Sequence, residues 1–203
     1  MIMILLAAAL IGAQAAPASA PPAASEATNA DLVPVAIDTS LGRIVVALDQ
    51  GRAPVSSANF LRYVDTKRFD GEIFYRAMKN GPDGGLIQGG VTTDARKLLP
   101  PIAHEPTSQT GLKHVAGAIS MARLTPGSAK ADFFILTADI PGFDAGAPGG
   151  DADGFAVFGH VVEGMDVVKA IYAAPTSPTK GEGVMKGQML EPPVKIIKAA
   201  RVK

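Results

Sequence analysis

The chain has 203 residues, 47% of them hydrophobic, enough for one domain with a substantial core and marginal for two. Nineteen Lys and Arg balance nineteen Asp and Glu, which lacks the basic excess of a general nucleic-acid binder, so no nucleic-acid partner is expected. With no Cys there is no disulfide framework, thiol nucleophile, redox pair or Cys-based metal site.

Met1 to Gly12 is an apolar run of the length found in signal peptides. It falls short of the roughly 20 residues that span a bilayer. Ala13-Gln14-Ala15 and Ala18-Ser19-Ala20 both fit an Ala-x-Ala cleavage pattern, and cleavage after Ala15 is expected because Pro21 closely follows the second. No Lys or Arg precedes the run, which leaves an uncleaved anchor as the alternative. Residues 16–31 are rich in Ala and Pro and predict a disordered tether. The expected organisation is a signal peptide over 1–15, the tether over 16–31 and a folded domain over 32–203. Export to an oxidising compartment such as a periplasm follows, with no stable membrane association after cleavage.

Val33–Thr39 and Arg43–Leu48 predict a hairpin turning at Gly42. Ala53-Pro54 opens a helix whose inner face is Val55, Phe60, Leu61 and Val64. Strands are expected at Ile73–Met78, Leu86–Val91, Val115–Ala122, Asp132–Thr137 and Phe155–Val162. Glu163–Tyr172 predicts a second helix with Val167, Val168 and Ile171 inward, and Pro193–Ala199 a closing strand. Seven or eight short strands with two helices predict a mainly β barrel capped by helices.

The residues of common chemistries are missing. His104, His114 and His160 form no ligand pair, and no G-x-S-x-G elbow, Walker loop or dinucleotide fingerprint occurs. His104-Glu105 reads as a loop histidine beside a loop acid. Asp151-Ala152-Asp153-Gly154 lacks the further ligands of a calcium loop and reads as a turn. No metal or cofactor is expected, which leaves a binding module or an enzyme whose reaction needs no nucleophile.

Six ordered blocks resemble the cyclophilin family of peptidyl-prolyl cis–trans isomerases. They are Ala53-Pro54 with Asn59–Val64, Phe69–Arg76, Leu86–Gly90, Gly117–Arg123, Ser128–Ile135, and Phe155–Val168. Together they cover about residues 33 to 200. The resemblance implies a closed eight-stranded antiparallel barrel capped by two α-helices, with the active groove on its outside. It carries the catalytic arginine onto Arg76 and the groove glutamine onto Gln88. The proline pocket falls on Leu86, Phe134 and Phe143, with Ala122 and Arg123 along its edge and Phe155 as a further wall. The implied partner is a proline-containing segment of a client protein, bound by a monomer.

The departures from the family pattern carry expectations of their own. Asp132, carried over with the substrate-binding residues, stands where a Gln is usual and, as an acceptor only, is expected to pair with Arg76 or Arg123 and compete with substrate. Gly85 replaces an aromatic and is expected to open the pocket. Asn80–Gly85 reads as an altered loop, and Tyr75 stands where relatives often carry His. Two functional readings stay open. Arg76 and Gln88 favour an exported isomerase, whereas Asp132 and Gly85 favour a cyclophilin-like module that binds Pro-containing segments without useful catalysis.

Overall fold

A computed structural model describes residues 31–80 and 84–202. The expected signal peptide and the tether as far as Ala30 lie outside the described residues, as does part of the Asn80–Gly85 loop. Among the described residues nine strands form one antiparallel sheet. They are β1 (Leu32–Thr39), β2 (Gly42–Asp49), β3 (Ile73–Lys79), β4 (Gly85–Gly90), β5 (Ala118–Met121), β6 (Phe133–Leu136), β7 (Ala156–Glu163), β8 (Thr176–Ser177) and β9 (Met189–Arg201). Eight close on themselves in the order β1-β2-β7-β5-β6-β4-β3-β9, with β9 returning to β1. The two-residue β8 pairs only with the start of β9. Closure removes the free edges that an open sheet would expose.

Three α-helices accompany the barrel: α1 (Pro54–Asp65), α2 (Thr107–Thr110) and α3 (Met165–Ala173). The first and third are the two expected caps. The single turn of α2 is too short to leave a periodic signal. Pro54 sits in the first turn of α1, and no residue of the helix itself caps that end. Glu105 does so from across the fold. Its buried carboxylate accepts from the Val55 N–H (2.9 Å), the Ser56 N–H (2.7 Å) and the Ser56 hydroxyl (2.6 Å). The expected loop acid is therefore a structural cap. Val55, expected on the inner face, is exposed, while Phe60, Leu61 and Val64 are buried.

The barrel interior is aromatic. Phe60 of α1 packs edge-on to Phe133 of β6 at 5.2 Å and tilted on Phe69 at 4.9 Å. Each such buried ring contributes about 2 to 3 kcal/mol. Strand alternation then decides the site. On β6, Phe133 points into this core, while Phe134 points outward into a second apolar cluster with Leu86, Leu136 and Val157. The filled interior leaves the outer face as the place for a ligand.

Two strand starts differ from expectation by more than one residue. β5 starts at Ala118 rather than Val115, because the Val115 N–H turns back to the Lys113 carbonyl and Gly117 is left-handed. β9 begins at Met189, four residues before the expected Pro193, where it pairs with Arg76.

Candidate active site

β3 and β4 place Arg76 directly opposite Gln88. The register slips between Phe74 and Arg76, which leaves Tyr75 as the extra residue of a bulge. Phe74 is buried inside the barrel, and Tyr75 and Arg76 both reach Gln88. Arg76 donates from Nη1 to Gln88 Oε1 at 2.8 Å, and Gln88 Nε2 donates to the Tyr75 hydroxyl at 2.7 Å. Only one orientation of the Gln88 amide serves both neighbours. The Tyr75 hydroxyl in turn donates to Asp132 Oδ2 at 3.3 Å. At the other end, Arg76 Nε donates to Gln188 Oε1 at 2.8 Å, and Gln188 Nε2 donates to the Val184 carbonyl at 2.8 Å. One chain of hydrogen bonds thus runs from Asp132 through Arg76 to Val184.

That chain fixes the charges. Burial and the neighbouring Asp132 raise the Tyr75 phenol well above its ordinary value, so it stays a donor. Burial lowers the Arg76 guanidinium somewhat, yet arginine remains charged at any working pH. Its two bonds use Nε and Nη1, and Nη2 has no partner among the described residues.

Facing Arg76 and Gln88 is a cavity of about 290 Å³. Its apolar wall is Leu86 with three mutually perpendicular or tilted rings: Phe134–Phe143 at 5.7 Å, Phe134–Phe155 at 5.5 Å and Phe143–Phe155 at 5.1 Å. Ala122 and Arg123 form the adjoining edge. Arg123 is already engaged: it donates to the Gly154 carbonyl, pairs with Asp151 at 2.9 Å and lies over the Phe155 ring at 5.1 Å. The Asp151–Gly154 segment is thereby a braced turn, with Asp151 also accepting from the Asp153 N–H.

Behind the rings stands His114, which is buried and stacked on Phe134 at 6.1 Å and 17°. It also meets Phe143 edge-on at 5.8 Å. Its Nδ1 lies 2.8 Å from Asp144 Oδ1 and its Nε2 3.1 Å from Ser120 Oγ. Burial lowers the imidazole pKa, so the ring is neutral, with Nδ1–H donating to Asp144 and the Ser120 hydroxyl donating to Nε2. Burial alone would raise Asp144, but its hydrogen bonds from His114 hold it below the usual carboxylate value.

Eight of the nine site residues expected from the sequence therefore line one cavity: Arg76, Leu86, Gln88, Ala122, Arg123, Phe134, Phe143 and Phe155. Asp132 lies apart from it, lining a neighbouring cavity of about 430 Å³. Two expectations are overturned. Asp132 pairs with neither arginine, because the Tyr75 hydroxyl reaches it first and both guanidiniums are held elsewhere. Gly85 does not open the pocket, since a Cβ there would run into the Met78 carbonyl and within 2.7 Å of the Tyr172 ring, beneath α3. Sequence reasoning missed Gln188 and His114. Gln188 meets Arg76 across 112 residues, and no local pattern marks either residue. Among the described residues no group of three or more His, Asp or Glu could hold a metal ion.

The model of the family "Cyclophilin type peptidyl-prolyl cis-trans isomerase/CLD" matches residues 34–201. The peptidyl-prolyl cis-trans isomerase cyp18 of Streptomyces antibioticus is 38% identical over 151 residues, covering 72% of this chain and 87% of the relative. A peptidyl-prolyl cis-trans isomerase of Acinetobacter baylyi is 39% identical over 167 residues, covering 80% and 82%. Among solved structures, a Cryptosporidium parvum cyclophilin type isomerase superposes with a TM-score of 0.67 at 19% identity, covering 85% of this chain and 98% of that one. That likeness speaks to the fold. The same parasite protein has also been solved in the presence of the dipeptide Ala-Pro.

Proposed function

The chain belongs to the cyclophilin-type peptidyl-prolyl cis–trans isomerase family, and we propose that it turns X–Pro peptide bonds in the Arg76–Phe134 groove, acting on exported client proteins. It is an isomerase by family.

The amide of an X–Pro bond has partial double-bond character and a rotation barrier of ~20 kcal/mol. Rotation breaks the resonance and leaves a lone pair on the proline nitrogen. A guanidinium N–H that donates to this nitrogen binds the twisted amide better than the planar one, which lowers the barrier. Arg76 is suited to this role. Two glutamines hold its Nε and Nη1, and Nη2 is left for the substrate. The edge-to-face and tilted rings of Phe134, Phe143 and Phe155 grip the pyrrolidine while the preceding carbonyl swings. A ~10⁵-fold acceleration needs about 7 kcal/mol. One preorganised charged donor supplies about 3 kcal/mol, and the groove supplies the rest. No bond is made or broken, so no nucleophile is required.

The doubly anchored Arg76 opposite the aromatic wall carries this reading. The features that favoured a binding module lose their force, because Asp132 does not occupy the arginine and Gly85 does not reshape the pocket. The apolar run Met1–Gly12 with its Ala-x-Ala sites supports export to a periplasm, after which a monomeric domain would meet unfolded clients. The test is magnetisation exchange between cis and trans forms of a short Ala-Pro peptide, with wild type beside Arg76→Ala. Wild type should accelerate exchange, and the variant should lose at least a hundredfold. An equal rate in both would remove Arg76 from the mechanism.

A further inference from the structure

The cavity beside the proline pocket has no role in gripping the ring. It shares Gln88, Ala122, Arg123, Leu124 and Met185 with the pocket, so a bound chain passes directly from one to the other. Its walls include Val91, Leu98 and Met189, and the one acid among its lining residues is Asp132. Asp132 is partly buried, and its carboxylate has one hydrogen bond among the described residues, the 3.3 Å contact from Tyr75 to Oδ2. Across the ladder stands Gly90, with no side chain to cover the acid, and a Cβ there would collide with Asp132 Oδ1. The nearby cations are committed elsewhere: Arg76 to two glutamines, Arg123 to Asp151 and the Gly154 carbonyl. Lys130 lines the same cavity from its exposed rim.

Spacing places this acid relative to the proline. Asp132 directly precedes β6, and its carbonyl accepts from the Ala122 N–H at 2.8 Å, so the extended pairing continues through it. Asp132 and Phe134 are two residues apart and share the outer face, roughly 7 Å from each other along the strand. An extended substrate covers that distance in two residues.

We propose that this second cavity is a specificity subsite in which Asp132 receives the cationic side chain of a Lys or Arg two residues from the isomerised proline. The inference rests on the isomerase reading of the adjoining groove and adds a substrate preference to it. The apolar walls hold the methylene stem while the charged head meets the acid. Burial raises the Asp132 carboxyl above its usual value, the direction expected of an acid awaiting a cation. Lys130 at the rim opposes the same ligand and weakens the preference without redirecting it.

The experiment compares acetylated, amidated peptides Lys-Ala-Pro-Ala and Ala-Pro-Ala-Lys with versions carrying norleucine, acetyl-lysine or Glu in place of Lys. Exchange catalysis and calorimetric binding are both read. One of the two registers should show about tenfold higher kcat/KM and tighter binding for Lys than for norleucine or acetyl-lysine. The ratio should collapse in Asp132→Asn and grow in Lys130→Gln. Because each ratio is taken within one variant, a general loss of activity cancels. The peptide-side comparison stands even if Asp132→Asn fails to fold. Equal handling of Lys and norleucine in both registers, or a preference for Glu, would overturn the subsite. Absence of catalysis on every peptide, with the Lys preference kept in binding, would instead count against the isomerase groove and leave the subsite standing.

Discussion

Replacing Gln188 by Ala should slow the enzyme without much loosening it. Gln188 does one thing for the groove: its Oε1 accepts from Arg76 Nε at 2.8 Å, while its own amide is anchored on the Val184 carbonyl. With that acceptor gone, Arg76 keeps only its bond to Gln88 and gains freedom about its terminal torsions. Restoring the productive rotamer at each turnover then costs about 1 to 1.5 kcal/mol, near the entropy of one fixed long side chain. That corresponds to roughly a tenfold fall in kcat/KM, taken mostly from kcat because the proline pocket is untouched. Stability should change little, since Gln188 is half-buried and water can replace its bonds. A melting shift under about 4 °C is expected. The assay is peptide exchange on wild type, Gln188→Ala, Arg76→Ala and the double variant. If Gln188 acts only through Arg76, its removal has no effect once Arg76 is gone. An equal tenfold loss in the Arg76→Ala background would refute the argument.

Three other outcomes follow from the same geometry. His114→Ala should raise KM for proline peptides about five- to tenfold with kcat less affected, because it withdraws the ring behind Phe134; steady-state exchange kinetics read the split. The depressed imidazole pKa of His114 means its contribution to stability is whole above 6.5 and is lost as pH falls below that value; denaturant titrations should show that slope in wild type and a flatter one in His114→Gln. Burial would raise Glu72, but its bonds from Lys97, Thr93 and the Thr92 N–H hold it below its ordinary 4.5. Stability from that carboxylate is present above 4.5 and lost as pH falls toward the lower folded value, so Glu72→Gln should shrink the acid-denaturation slope there.

The barrel was legible because its strands announce themselves locally. Short apolar, aromatic-bearing runs in Ile73–Met78 and Asp132–Thr137, a turn at Gly42 and a 3.6-residue repeat around Val168 and Ile171 need no distant partner to be recognised. Most of the groove was legible for another reason: the blocks carrying Arg76, Leu86, Gln88, Ala122, Arg123, Phe134 and Phe155 match a family pattern. The rest depends on contacts between residues far apart in the chain. Glu105 finds the head of α1 across about fifty residues, His114 joins Asp144 across thirty, and Gln188 finds Arg76 across 112. A polar side chain in a loop has no periodicity to betray which backbone or guanidinium it will meet. Gly85 failed differently. A missing aromatic reads as a hole, yet the direction of the missing side chain is set by the strand, and here it is toward the Met78 carbonyl.

Asp132 and Tyr75, read singly, look like two losses from the family pattern, but in the structure they are one arrangement. An ionised Asp can only accept, so a partly buried Asp132 needs a donor beside it. Tyr75 is that donor, and its hydroxyl can simultaneously accept from Gln88 Nε2. This leaves Gln88 Oε1 free to accept from Arg76, the one assignment that supports the guanidinium. If Tyr75 became Phe, Gln88 Nε2 would lose its acceptor and Asp132 its donor together, and the Gln88 amide would no longer be held in one orientation. Tyr75→Phe should therefore lower kcat about tenfold although Tyr75 touches neither the proline pocket nor Arg76 by hydrogen bond. Changing Asp132 to Asn in the same background should cost little more activity on a neutral Ala-Pro peptide, because the chain is already broken at Tyr75. A full second loss there would mean that the acid acts on the groove by a route other than the phenol.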